Sequence, residues 1–428
     1  MRVKWLAAAL AICLCLTGCV MDVESYLQPP YLQQQAVQDA LSVALQKNGV
    51  ADGYTLKYPI GGSITSAFVL LDDTGLQTTA ENATMALAFY VPVGEEKAHI
   101  HLLGLSGGEW TTLADTVGSD KDIERVILGD ADGDGVEELF VGFCGYTNDA
   151  TLYMYRLRDA YLQNPHSFGR YTAAFVGDMD GVGGDEAVLL HASKDTVSAS
   201  MLSLQNGTPV TKGKLALAGD VRRFEKLLYG NTSDGTPALY IDAVRASGTY
   251  VTEMLYWDGK KLCAPLCNAA LGAPLSARTA HVSVMDTDGN GVPEFPLTSR
   301  LPKVENATAD NTWQWLTEWY VWDVTKGAAV RQFAGIVNRV DGYYIELEDA
   351  WLPSLGTRYD AQSATLWLET DGTPFLAVRC IKDTIRQSEE TQQFVMLSEN
   401  SPYAVWFDTA ETYRLTLEKI SYMLVSLE

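Results

Sequence analysis

Basic residues are scarce in this chain. Its 428 residues carry 31 Lys and Arg against 54 Asp and Glu, a formal net charge of −23 with only 5 His. A surface so acidic excludes nucleic acid as a partner, because that needs a basic face, and it gives no electrostatic help in binding anionic lipid. Cysteine is also sparse. Of 7 Cys, Cys13, Cys15 and Cys19 fall in the N-terminal segment, leaving Cys144, Cys263, Cys267 and Cys380, too few over this length for a disulfide scaffold. Cys263 and Cys267 lie close enough in sequence to pair or to share a metal, but no second pair or nearby His completes a zinc site. Free thiols or one disulfide fit better. Beyond the N-terminus no apolar run is long enough to span a bilayer.

The N-terminus itself is patterned. Arg2 and Lys4 precede an apolar run from Trp5 to Leu16, and Leu16-Thr17-Gly18-Cys19 follows. Basic residues, a short apolar core and small residues before a cleavage point make a secretory signal. The last four residues resemble the bacterial lipobox, and that resemblance implies lipidation of Cys19 and a mature protein tethered to the outer side of the cell membrane. Loss of Arg2 and Lys4 with the signal makes the mature chain more acidic still.

Three acidic loops carry the most chemical information. They are Asp130-Ala131-Asp132-Gly133-Asp134-Gly135-Val136-Glu137-Glu138, Asp286-Thr287-Asp288-Gly289-Asn290-Gly291-Val292-Pro293-Glu294, and a weaker form, Asp178-Met179-Asp180-Gly181-Val182-Gly183-Gly184-Asp185-Glu186. Oxygen ligands at positions 1, 3, 5 and 9 are what a hard cation takes, calcium above all. Carboxylates crowded into a short loop repel one another without such a cation. In the weaker loop Val182 stands where a fifth-position ligand belongs, which leaves Asp178, Asp180 and Glu186.

The loops also set a repeat of roughly fifty residues. A strand-like run precedes each one, as at Ile123–Leu128, Tyr171–Val176 and Ala280–Val284, and others follow at Leu139–Phe143 and Ala187–Leu190. Between the loops come hairpins with tight turns at Gly107-Gly108, Asn206-Gly207 and Asp258-Gly259. Two further units keep the phase without the ligands, around Asp72-Asp73-Thr74-Gly75 and Asn231-Thr232-Ser233-Asp234-Gly235. About four strands per unit is the content of one propeller blade. The expected fold is therefore mainly β: a β-propeller of about five to seven four-stranded blades, with a short N-terminal helix and a C-terminal antiparallel α+β segment. The expected domains are a signal peptide over 1–19, a linker and amphipathic helix over 20–53, the repeats over 54–334, and the C-terminal segment over 335–428. That last segment either stands as a small domain or supplies closing blades. Its expected strands are Tyr343–Leu347, Ala364–Leu368, Phe375–Ile381, Phe394–Leu397 and Tyr403–Phe407, before a terminal helix carrying Leu415, Leu417, Ile420, Met423 and Leu424.

The two complete loops, each between short strands, resemble the FG-GAP/VCBS-type repeats of integrin-like β-propellers. The resemblance implies calcium held between strands of a blade. It implies side-chain ligands at Asp130, Asp132, Asp134 and Glu138 with the Val136 carbonyl, and at Asp286, Asp288, Asn290 and Glu294 with the Val292 carbonyl. It covers roughly residues 54–330. The whole chain is also similar to lipid-anchored, repeat-bearing lipoproteins of gut-type Clostridia. An EF-hand is excluded, because position 12 is Val141 in one loop and Leu297 in the other, both in apparent strands.

Enzyme motifs are thin. Gly104-Leu105-Ser106-Gly107-Gly108 matches a nucleophile elbow, but a strand-like run rather than a helix follows it. His99 and His101 share a strand face with no third ligand placed by the sequence. Trp313, Trp315, Trp319 and Trp322 suit either core packing or a sugar platform. The reading is a lipid-anchored, extracytoplasmic binding or scaffolding module for an envelope protein or glycan, with calcium as its cofactor. The alternative is an envelope hydrolase, acting on carbohydrate or peptide, with its site at the propeller channel.

Overall fold

The structure is a computed structural model. It describes residues 39–40, 42–43, 53–79, 81–145, 149–157, 162, 165–194, 196–218, 220–267, 274–302, 307–381, 394–398, 401–410 and 412–427. The signal and Cys19 lie outside these residues, as does most of the linker and amphipathic helix expected over 20–53. Residues 39–40 and 42–43 are helical.

The fold is mainly β, built from antiparallel sheets of four or five strands. The first sheet holds β1 (Tyr54–Leu56), β2 (Phe68–Leu71), β3 (Met85–Pro92), β4 (His99–Ser106) and β5 (Glu109–Val117). The second holds β6 (Asp122–Gly129), β7 (Glu138–Cys144), β8 (Ala150–Tyr155) and β9 (His166–Tyr171). The third holds β10 (Ala173–Gly177), β11 (Glu186–Ala192), β12 (Val197–Gln205) and β13 (Thr208–Ala216). The fourth holds β14 (Val221–Asn231), β15 (Pro237–Arg245), β16 (Tyr250–Trp257) and β17 (Leu262–Cys263). The fifth runs β18 (Phe295–Arg300), β19 (Trp315–Asp323), β20 (Ala328–Asn338) and β21 (Tyr343–Leu347). The sixth gathers β22 (Leu355–Asp360), β23 (Thr365–Thr370), β24 (Thr373–Cys380), β25 (Val395–Met396) and β26 (Tyr403–Phe407). A helix, Leu417–Met423, is capped by the Thr416 hydroxyl and leads into β27 (Leu424–Ser426), which completes the fifth sheet beside β21. The boundary expected at residue 335 falls inside β20, so the C-terminal segment shares a sheet with the repeats before it.

The described residues divide into two compact units, those up to 129 with those of 135–167, and those of 130–134 with those from 168 onward. In the first unit, Leu87, Phe89, Ile100 and Leu102 pack with Val126, Leu139 and Val141. In the second unit, one apolar cluster joins the third and fourth sheets through Val188, Met201, Leu239 and Leu255. Another joins the fifth and sixth through Ile336, Ile345, Leu366 and Leu376. Burial differs between the strands of a sheet. Strand β3 is buried on both faces, whereas β5 and β13 share one half-exposed pattern, residue for residue.

Two turns explain the hairpins. Asn206 and Gly207 have φ of 51° and 78°, and Gly107 and Gly108 have φ of 60° and 86°. Two successive left-handed residues match the twist of the flanking strands. Ser106 therefore ends β4 at a hairpin, with β5 rather than a helix beyond it, so no nucleophile elbow forms. The run Ala280–Val284 differs from expectation: it is irregular, with one isolated bridge from Met285 to Glu294. The Val284 N–H donates to the Asp242 carboxylate at 2.8 Å, and the Arg278 Nε donates to the Val282 carbonyl at 2.7 Å. A buried ion pair thus takes up backbone groups that a ladder would have used.

Candidate metal centre

The three acidic loops fold alike. Loop position 1 turns its carboxylate back on the loop's own backbone. Asp130 Oδ1 accepts from the N–H of Gly133 (2.8 Å) and Asp134 (3.1 Å). Asp178 Oδ1 accepts from Gly181 (2.7 Å), and Asp286 accepts from Asn290 (3.0 Å) and Gly291 (2.8 Å). Such turns need left-handed backbone at positions 4 and 6, and glycine supplies it. The φ values are 72° and 84° at Gly133 and Gly135, 72° and 87° at Gly181 and Gly183, and 72° and 82° at Gly289 and Gly291.

Position 9 opens the strand after the loop in the first two and directly precedes it in the third, and its glutamate is buried each time. Glu138, Glu186 and Glu294 are 1 %, 3 % and 1 % exposed. In two of the loops the carboxylate is bonded across to position 2, Glu186 accepting from the Met179 N–H at 3.0 Å and Glu294 from the Thr287 N–H at 2.9 Å. Burial pushes the Glu294 carboxyl above the usual range. A buried carboxylate in this state is one that a nearby cation stabilises in its charged form.

The loops are also linked to one another. The Asp185 N–H donates to the Asp130 carbonyl at 2.7 Å, while the Asp130 N–H donates to Asp185 Oδ2 at 3.0 Å. A Cβ on Gly184 would stand 2.8 Å from the Ala131 oxygen, so only glycine admits this approach. Position 8 of the Asp130 loop repeats the gesture, Glu137 N–H to the Thr74 carbonyl at 2.8 Å. In the Asp286 loop position 8 is Pro293, which has no N–H. There the Gly291 carbonyl accepts from the Asn231 N–H at 2.8 Å instead.

Among the described residues two groups of carboxylates are gathered closely enough to hold a metal ion: Asp130, Asp132 and Glu138, and Asp178, Asp180 and Glu186. In each, the ligand atoms lie within 4.8 Å of one another. The sequence ranks Asp286, Asp288 and Glu294 with the first group, but those carboxylates are not gathered in this way. Asn290 differs from its counterparts in the other two loops. Its amide donates to Asp288 Oδ2 at 2.9 Å while its oxygen accepts from the Val292 N–H at 2.7 Å, so Asp288 is engaged with the loop itself. Val136 and Val292 occupy position 7 in their loops, as the alignment of positions requires. Val141 and Leu297, at position 12, lie in β7 and β18, which removes the EF-hand.

The other candidates resolve as follows. Trp315, Trp319 and Trp322 are core residues, and Trp313 packs on the cluster around Trp351, so the tryptophans form no exposed platform. Cys263 and Cys267 are free thiols. His99 and His101 share a face, and the structure sets Asp115 opposite His101. His99 Nδ1 lies 3.2 Å from Asp115 Oδ2 and its Nε2 lies 2.9 Å from Glu95. The Tyr90 hydroxyl donates to Asp115 at 3.1 Å. Burial acts to raise the Asp115 pKa, but hydrogen bonds from His101 and His99 outweigh it and hold the carboxyl well below the usual range. The sequence could not place Asp115, because a bulge at Leu113 shifts the β4–β5 register by one.

No family model matches the chain, and no curated protein matches it. Among solved structures it is similar to a rhamnogalacturonan lyase of Bacillus licheniformis, at 13 % identity over 72 % of this chain and 70 % of that one, with a TM-score of 0.31. It is similar to the exotype rhamnogalacturonan lyase YesX at 12 % identity over 75 % and 72 %, with a TM-score of 0.32. It is similar to Sqt1 of Saccharomyces cerevisiae at 10 % identity over 76 % and 73 %, with a TM-score of 0.32. Likenesses this distant carry no argument about the fold, substrate or chemistry of this chain.

Proposed function

We propose that this protein is a lipid-anchored, extracytoplasmic β-propeller of the FG-GAP/VCBS type, which holds calcium in its acidic loops and serves as a binding or scaffolding module at the cell envelope. The observation that carries the reading is the shared build of the three loops. Each has a position-1 carboxylate folded onto the loop, left-handed glycines at positions 4 and 6, and a buried glutamate at position 9. In the Asp130 loop, Asp130, Asp132 and Glu138 would hold the ion, with Asp134 and the Val136 carbonyl completing an oxygen set. Bound calcium supplies the positive charge that offsets crowded carboxylates. The chain's own part is to hold those oxygens in place, and the loop-to-loop bonds at Glu137 and Asp185 do so from outside the loop.

Calcium is therefore expected to stabilise the fold by mass action. One site adds about 2.7 kcal/mol at a hundredfold excess over its dissociation constant. Thermal melts of the protein with calcium and with chelator should differ, and Asp132→Ala should remove part of the difference. Superimposable melts would reject the calcium reading. The anchor is tested apart from the metal. Metabolic labelling with a fatty acid should mark the wild type and leave Cys19→Ala unlabelled and released from the membrane. Equal label in both would show that Cys19 is not the lipid's attachment point.

A further inference from the structure

The Asp178 group is gathered although its loop lacks a fifth-position ligand: Val182 is 79 % exposed and offers no side-chain oxygen. Something other than loop chemistry draws these carboxylates together, and the structure supplies it. The Lys212 ammonium is paired with Asp180 and lies 3.0 Å from Glu186 Oε1. It reaches them from β13, the far edge of the same sheet, and stands 5.1 Å over the Trp257 ring. The side chain is aimed by backbone geometry. Met201 pairs with Gly213 and Leu202 with Thr211, so Lys212 is the extra residue of a β-bulge, which turns a side chain out of its alternating place. The same bulge recurs in β5 at Leu113 and in β24 at Phe375, where apolar side chains pack into the core, and in β20 at the exposed Gln332. In the third sheet that position carries an ammonium, beside a loop whose fifth residue, Val182, offers no side-chain oxygen.

We propose that Lys212 is the resident cation of the Asp178 loop, a covalently tethered ammonium standing where the related loops would take a divalent ion. The proposal rests on the calcium reading above for those related loops. A lysine ammonium has three donors and one charge. It satisfies Asp180 and Glu186 directly, and a divalent ion would have to displace it from both carboxylates and from the Trp257 face. The loop is then closed at any calcium concentration, and its link to the Asp130 loop through Asp185 does not depend on metal.

Calorimetric titration of calcium chloride into chelator-stripped, full-length protein in detergent tests this. Asp180→Asn should leave the wild-type stoichiometry unchanged. Lys212→Met should add one equivalent, and Lys212→Met with Asp180→Asn should return the count to that of the wild type. Lys212→Gln, of similar reach and no charge, serves as a second variant should Met fail to fold. A loss of one equivalent in Asp180→Asn alone would overturn the proposal, because the loop would already be holding calcium. So would a folded Lys212→Met or Lys212→Gln protein that binds no more than the wild type. Thermal melts give an independent measure. Asp180→Asn should lower the melting temperature equally with calcium and with chelator, and a loss confined to the calcium sample would count against Lys212. Absence of calcium binding in the wild type, together with one equivalent gained in Lys212→Met, would reject the calcium reading of the other loops and leave the assignment of Lys212 standing.

Discussion

Asp242→Ala is expected to cost about 3–5 kcal/mol, the range for leaving one partner of a buried ion pair uncompensated. The side chains of Arg278 and Asp242 are 1 % and 3 % exposed, and Arg278 Nη2 donates to Asp242 Oδ1 at 2.9 Å. The pair is fully bonded. Arg278 also donates to the Thr252 hydroxyl (3.0 Å), the Ser276 carbonyl (3.1 Å) and the Val282 carbonyl (2.7 Å), and Asp242 Oδ2 accepts from the Val284 N–H (2.8 Å). Alanine at 242 strands a guanidinium and an amide in an apolar setting. The damage should reach function, since this network holds the irregular run that leads into the Asp286 loop. Urea unfolding at fixed calcium should show the loss. A double variant, Asp242→Leu with Arg278→Met, should recover most of it, because apolar replacement of both partners removes the unpaired charge. A single variant as stable as the wild type would show that the pair is not what organises residues 276–284.

Glu253→Gln is expected to stabilise the protein at pH 8 by about 2–3 kcal/mol and to leave it nearly unchanged at pH 4.5. Glu253 is 1 % exposed, its Oε1 accepts from the Ala218 N–H at a long 3.3 Å, and its Oε2 has no hydrogen-bond partner. Burial raises its pKa from 4.5 to about 7. The sign follows from linkage: the folded state holds the proton more tightly than the unfolded chain does. The stability that this contributes is complete below pH 4.5 and is lost as pH rises through about 7. Glutamine mimics the protonated form at every pH and should remove that part of the decline. Chemical denaturation of both proteins at pH 4.5 and pH 8 in chelator isolates the difference, since every other carboxylate is common to the two. A Gln variant that is no more stable at pH 8 would mean that water or a rearranged partner satisfies the ionised carboxylate.

Much of the local architecture was legible in the residues. Asn206-Gly207 and Gly107-Gly108 marked hairpins because successive left-handed residues are cheap only for such pairs, and Tyr343–Leu347 and Tyr403–Phe407 are strands at the bounds their composition suggested. The acidic loops were readable for the same reason, since a nine-residue pattern with glycine at positions 4 and 6 has few other ways to turn. The run Ala280–Val284 misled because its alternation suits a strand, while a buried pair more than thirty residues apart in sequence claims its backbone.

The ranking of the loops shows the limit most clearly. By ligand count the Asp286 loop matched the Asp130 loop and the Asp178 loop came last, yet the gathered groups are those of Asp130 and Asp178. Two features distinguish the loops, and residue type at each position announces neither. One is the orientation of a single amide at Asn290. The other is a bulge that sends Lys212 across its sheet to Asp180 and Glu186. Sequence by itself determined what depends on neighbouring residues: the turns, the strand content, the repeat and the positions of the acidic loops. Tertiary structure alone decided which charges meet, because a one-residue change of register moves a side chain to another partner, and register is set by packing across strands rather than along them.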